Sequence, residues 1–146
     1  MADSQRIPAT PASPPLRAKL GPNRRVHLER DANRIFQEGK REFFYPYRFL
    51  YYIAPATALA PAGLRLMVKA PKRTYKLAVA RNAQKRRVRE LFRTLSPQLH
   101  RHCLAHQLHV DLAVIPVSKD EVKLEKASKA MERVLASIGA QCHPAP

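Results

Sequence analysis

The sequence is short of acidic side chains, of cysteine and of long apolar runs, and each shortage narrows what the chain can be. Against 27 Lys and Arg stand 11 Asp and Glu, so the 146 residues carry a formal net charge of +16. No stretch approaches the roughly 18 apolar residues of a membrane span. The amino terminus has Pro8, Pro11, Pro14 and Pro15 where a signal peptide would place its apolar core. Membrane insertion is therefore not expected. The two cysteines, Cys103 and Cys142, lack paired spacing, so no disulfide framework is indicated. Reduced thiols in a cytoplasmic protein are the simplest reading.

What is abundant is positive charge. At this length there is room for one domain with one modest core. A pI near 10.7 says nothing about fold, but it draws the chain toward polyanions, of which nucleic acid is the commonest.

Residues 1–22 are rich in Pro, Ala and Ser without periodicity, as expected of a disordered tail. The folded domain is expected over 23–139, with a short carboxy-terminal tail at 140–146. Val26–Glu38 has the spacing of a short helix, with Leu28, Ile35 and Phe36 apolar and Gly39 placed to end it. An aromatic strand, Tyr47–Ile53, lies between Pro46 and Pro55. Leu64–Ala70 alternates Leu64, Leu66 and Val68 with Arg65, Met67 and Lys69, the period of a half-exposed strand. These two are expected to form an antiparallel pair, and a further short strand is possible at Arg41–Tyr45.

Leu77–Leu95 reads as a helix that stops at Ser96-Pro97. Val110–Val117 is almost continuously apolar, as in a strand buried on both faces. Ser118 to Glu121 has the spacing of a capping box. The last helix carries Leu124, Ala127, Met131, Val134, Leu135 and Ile138 on one face, with Gly139 as a cap. No internal repeat is present. The expectation is an α+β sandwich of one sheet and three helices.

Lys69–Arg93 contains ten Lys and Arg and a single Glu. At about 100° per residue, Leu77, Val88, Leu91, Phe92 and Leu95 gather on one side of the helix. Arg81, Asn82, Lys85, Arg86, Arg89 and Arg93 fill an adjacent arc of roughly 140°. A solvated face would normally mix signs, because like charges at i,i+4 repel by a few tenths of a kcal/mol. Here Arg81, Lys85, Arg89 and Arg93 form an unbroken positive ladder. A phosphate backbone would relieve that repulsion and release counterions. Asn82 can both donate and accept, and Lys72 and Arg73 extend the surface on the preceding turn.

These residues resemble the protein subunit of bacterial ribonuclease P, whose signature helix reads Arg-Asn-Arg-x-x-Lys-Arg-x-x-Arg after a strand and a small basic turn. The matching stretch is Arg81-Asn82-Ala83-Gln84-Lys85-Arg86-Arg87-Val88-Arg89, preceded by Pro71-Lys72-Arg73. The aromatic strand and the helix end at Ile35-Phe36 and Gly39 support it, and the element order agrees from about Arg25 to Ile138.

The resemblance implies a small sandwich with a mixed sheet, similar to a ribosomal-protein domain. Its strand-helix-strand crossover through Leu77–Leu95 would be left-handed, an exception to the general rule. It also implies a function: removal of the 5′ leader from precursor tRNA by a complex whose RNA subunit is the catalyst, using Mg²⁺, with one protein per RNA subunit. Carried over by position, Lys72, Arg73, Arg81, Asn82, Lys85, Arg86 and Arg89 become RNA contacts. The leader would lie in a cleft between the sheet and the first helix, near Phe36, Arg48, Leu50 and Tyr52. Aromatic faces there can stack bases without reading sequence.

Two departures stand out. Ala83 replaces the second arginine of the signature, leaving its role missing or displaced to Arg87, and Ala32 stands where the family often has an aromatic. The strand register assigned here puts Tyr47, Phe49 and Tyr51 in the core. A slip of one residue would exchange them with Arg48, Leu50 and Tyr52.

Other chemistry is set aside. His100, His102, Cys103, His106 and His109 lack the paired spacing of a structural zinc site and read as a solvated polar connection. No nucleophile-base arrangement is evident, and paired carboxylates are absent from the basic region. The competing readings are a general RNA-binding module, such as a ribosomal protein or assembly factor, and a DNA-binding regulator. Against the latter, Pro97 interrupts the helix before any heptads, and strands precede it where a helix-turn-helix needs a helix.

Overall fold

The computed structural model describes residues 25–26, 29–119 and 122–142. The Pro-rich stretch 1–22, expected to be a disordered tail, lies outside the described residues. The elements in chain order are α1 (Glu29–Glu38), β1 (Lys40–Phe44), β2 (Tyr47–Pro55), β3 (Gly63–Val68), α2 (Ala78–Leu95), α3 (Pro97–Ala105), β4 (Leu108–Pro116) and α4 (Leu124–Gln141). The fold is α+β with one mixed four-stranded sheet, as expected, but with four helices among the described residues rather than three.

The additional helix, α3, occupies the histidine-rich stretch read as a connection. Pro97 does end α2, yet it also stands at the first turn of α3, where its missing N–H costs nothing. Leu99 and Cys103, four residues apart, supply the apolar contact that holds α3 down, and Cys103 is fully buried.

The sheet order is β1-β2-β4-β3. The expected β2–β3 pair does not form, because β4 lies between them, antiparallel to β2 and parallel to β3. The reason is burial. Every residue of β4 from His109 to Val114 is buried, and a strand apolar on both faces must be covered on both faces, which favours the interior of the sheet. The alternating β3 can stand toward an edge, where Val26 N–H donates to the Leu66 carbonyl at 3.0 Å. The short strand expected near Arg41–Tyr45 is β1, which pairs with β2 from Lys40↔Tyr51 to Phe44↔Tyr47.

The register of the aromatic strand follows the assignment made from sequence. Tyr47, Phe49 and Tyr51 are buried with Leu64, Leu66, Val110, Leu112 and Val114 on one face, beneath Val88 and Phe92 of α2 and Met131, Val134 and Ile138 of α4. Burying each of the larger apolar side chains contributes about 1.5–3 kcal/mol. The opposite face carries a smaller core of Ile35, Leu50 and Ala113, covered by α1.

Both expected caps of the last helix are displaced. Its N-cap is Lys123, with no side-chain bond, so the helix starts later than a cap at Ser118 would require. The Ser118 hydroxyl instead accepts from Tyr45 Oη at 2.9 Å, and Glu121 lies outside the described residues. Gly139 lies inside the helix, which continues to Gln141, so residues 140–141 are helical rather than part of a tail. Cys142, buried beyond the helix end, bonds back to the carbonyls of Ile138 and Gly139. Leu124, expected on the apolar face, is 61 % exposed, whereas Ala127 to Ile138 are buried as expected.

Candidate nucleic-acid interface

Helix α2 is anchored by Val88, Leu91 and Phe92, which are buried against the sheet and α4. This orientation leaves Asn82 and Arg86 exposed and Lys85 and Arg89 partly exposed. Arg81 is more committed. Its guanidinium donates to the carbonyls of Tyr75 and Lys76 at 2.9 and 3.0 Å, closing the turn onto the start of the helix. Arg93, at the other end of the ladder, pairs with Glu90 at 2.7 Å. The least engaged part of the ladder is therefore its middle. Lys72 and Arg73 are exposed on the turn, where Thr74 and Tyr75 N–H donate to the Pro71 carbonyl.

Arg89 meets a second cation. Burial, and then the neighbouring charge of Arg25, pull its guanidinium below the ordinary arginine range. Two cations near enough to perturb one another are stabilised by an anion placed against them. Arg25 was not singled out from sequence, because it lies far from the signature helix in the chain; its bridge to Leu66 of β3 brings it near Arg89.

On the α1 face, Phe36 and Tyr52 are both partly buried around the small core. Each ring already carries a cation: Lys69 Nζ is 5.3 Å from the Phe36 centroid, and the Arg34 guanidinium is 4.8 Å from that of Tyr52. Cations over aromatic faces make a surface attractive to both phosphate and base. Arg48 is exposed on this face, but Leu50, expected in the leader cleft, is 3 % exposed and packs with Ile35 and Ala113, so it belongs to the small core rather than to an open surface. Phe43, paired with Arg48 in the register, is 56 % exposed and adds an aromatic that sequence reading missed.

Beneath this face lies a buried ionic network. Arg65 binds Asp111 through Nε at 2.8 Å and a terminal nitrogen at 3.0 Å, and reaches Asp31 of α1 at 3.1 Å. Arg34 bonds the other oxygen of Asp31 at 3.1 Å. His109, wholly buried, sets its two ring nitrogens toward the Pro61 carbonyl at 2.8 Å and the Asp111 carboxylate at 3.0 Å. Burial pushes the Asp111 carboxyl upward, but the bonds from His109 and Arg65 outweigh it and hold it below its ordinary range. Among the described residues, no three metal-ligating side chains gather at one point. No helix among the described residues is long and apolar enough to cross a membrane.

This geometry can be set beside known proteins. A model of the Ribonuclease P family matches residues 20–139. The chain belongs to the ribonuclease P protein family. It is 29 % identical over 119 residues to the ribonuclease P protein component of Porphyromonas gingivalis, covering 82 % of this chain and 85 % of that one. The RNase P protein of Thermotoga maritima, solved with 1-(4-fluorophenyl)-2-thiourea, superposes with a TM-score of 0.55 at 27 % identity. That match covers 76 % of this chain and 96 % of the other. The Staphylococcus aureus RNase P protein superposes with a TM-score of 0.57 at 24 % identity over 79 % and 94 % of the chains, a likeness of fold.

Within a ribonuclease P protein, the departures from the signature acquire positions. Ala83 and Arg87, four residues apart, both line the groove between α2 and α4, away from the ladder arc. Arg87 is also close enough to the Tyr47 hydroxyl for its charge to act on it. Ala32 is partly buried in α1. The signal for the buried network was present in sequence: Asp111, charged within an otherwise apolar strand, demands a buried partner. Its partner could not be named without knowing that β3 and β4 are neighbours, which puts Arg65 directly opposite it.

Proposed function

We propose that this chain is the RNA-binding subunit of a ribonuclease P that removes the 5′ leader from precursor tRNA. The observation that carries the reading is the positive face of α2 and its preceding turn, from Lys72 to Arg89, in a chain of this family. Lys72, Arg73, Asn82, Lys85, Arg86 and Arg89 contact RNA, while Arg81 also holds the turn that presents them. The leader lies over the α1 face, where Phe36, Tyr52 and Arg48 meet bases and phosphates and Leu50 supports them. One protein serves one RNA subunit, in the cytoplasm.

The chemistry belongs to the RNA subunit, for which Mg²⁺ supplies activation of water and stabilisation of the leaving oxygen. The side chains of this protein bind and orient. They also neutralise phosphate repulsion that would otherwise require more cation.

Reconstitution tests this. At low Mg²⁺, adding the protein to a bacterial ribonuclease P RNA should restore maturation of precursor tRNA. No gain over the RNA alone, with both components folded, would assign the chain to general RNA binding instead.

A further inference from the structure

The basic arc of α2 ends at Arg86, and beyond it a groove of about 540 Å³ opens between α2 and the start of α4. Its walls are apolar, formed by Ala83 and Leu95 on one side and Leu124 on the other. Leu124, at the lip of the groove, is 61 % exposed. The rim is cationic, with Arg86 exposed and Arg87 partly so. Glu90 also lines it, its carboxylate held by Arg93 and below its ordinary pKa because of that bond.

We propose that this groove takes up one unpaired nucleobase of the bound RNA. The argument rests on charge and on continuity with the ladder. An RNA strand following Lys85, Arg89 and Arg86 reaches the groove mouth at Arg86, which can bind its phosphate and present a guanidinium plane for stacking. An apolar slot with a few polar groups at its edge is the usual form of a small-ligand site, within a range of roughly 300–1,000 Å³. The carboxylate of Glu90 has acceptor capacity beyond Arg93 and suits a base that offers an amino group, as cytosine does. Ala83 keeps the slot open, because a longer side chain there would occupy it. The assignment rests on the RNA-binding reading above and adds a second kind of contact to it.

Two substitutions test the groove. Ala83→Phe fills it, and Leu124→Gln removes its apolar lip at a position already exposed. Both proteins should keep the thermal midpoint of the parent within a few degrees. Each should bind ribonuclease P RNA about tenfold more weakly, the scale of losing one buried base. The slope of log K against log salt should be unchanged, because the same phosphates remain neutralised. In an NMR titration, cytidine monophosphate should shift the amides of Leu124 and Ser128, and inorganic phosphate should not.

Unchanged RNA affinity in both variants would overturn the proposal, as would equal shifts with inorganic phosphate. If Ala83→Phe instead abolished self-association and left RNA binding intact, the groove would belong to a second copy of this chain. Lys85→Ala with Arg89→Ala serves as the control. Loss of binding in that variant alone would sink the groove and leave the RNA-binding reading standing, whereas no loss in any variant would sink both.

Discussion

A methyl group added at Gly39 would lie 2.4 Å from the carbonyl oxygen of Ile35 and 2.9 Å from that of Tyr51. Both are backbone atoms, one closing α1 and the other in β2, so neither can swing aside. Gly39 N–H itself bonds Ile35 O at 2.9 Å, which brings the end of the helix close to the sheet. Gly39→Ala should therefore destabilise the fold by about 1–3 kcal/mol, the usual cost of forced overpacking. A shift of the urea midpoint at constant m-value would measure it, and an unchanged midpoint would show that α1 can move away. The sequence marked Gly39 as a helix end. It could not show that the constraint comes from a strand lying against it.

At the scale of the element, α2 is less uniform than its i,i+4 pattern. Arg81 is bonded to two carbonyls of the preceding turn, and Arg93 is paired with Glu90. Charge available to a phosphate is concentrated in Lys72, Lys85 and Arg86, with Arg89 beside Arg25. Replacing Lys72, Lys85 and Arg86 together by Ala should weaken RNA binding. The salt dependence should flatten by about 0.7–0.9 in log–log slope for each phosphate left without its cation. Stability should change little, since among the described residues no bond from these three holds the fold in the way those of Arg81 do. Arg81→Ala alone should lower the thermal midpoint as well as RNA affinity. A midpoint equal to that of the parent would remove Arg81 from its structural role.

For the molecule as a whole, the two faces of the sheet are held differently. One is covered by α2, α3 and α4 through apolar contact; the other is covered by α1, over a small core and a buried ionic network. Asp111 is the centre of that network, with its side chain wholly buried and its pKa held low by His109 and Arg65 despite burial. A carboxyl whose folded pKa is depressed adds stability above the unfolded pKa of about 3.9 and loses it as the pH falls through the folded value. Stability should thus hold near neutrality and decline below about pH 4. Asp111→Asn should cost about 3–5 kcal/mol at pH 7, because it leaves Arg65 partly uncompensated, and should blunt that acid decline. Urea unfolding at pH 7 and pH 3 would measure both effects. Equal losses at the two pH values would mean that the network is not what titrates.

The strongest local patterns determined most of the secondary structure and pointed to a polyanionic partner. A one-signed arc on an amphipathic helix, an aromatic strand between prolines and a strand apolar on both faces are each written in consecutive residues, though the face that the aromatic strand turns to the core was settled by its pairing. Elements with mixed composition were not legible in that way: α3 hid its two apolar anchors among histidines, and α4 began and ended away from its apparent caps. The order of strands was decided only in three dimensions, because which strand sits centrally depends on what covers both its faces. That order then brought Arg65 opposite Asp111, and the packing of α2 beside α4 left the groove between Ala83 and Leu124. Periodicity describes one element at a time, and these interactions join residues that the chain holds far apart.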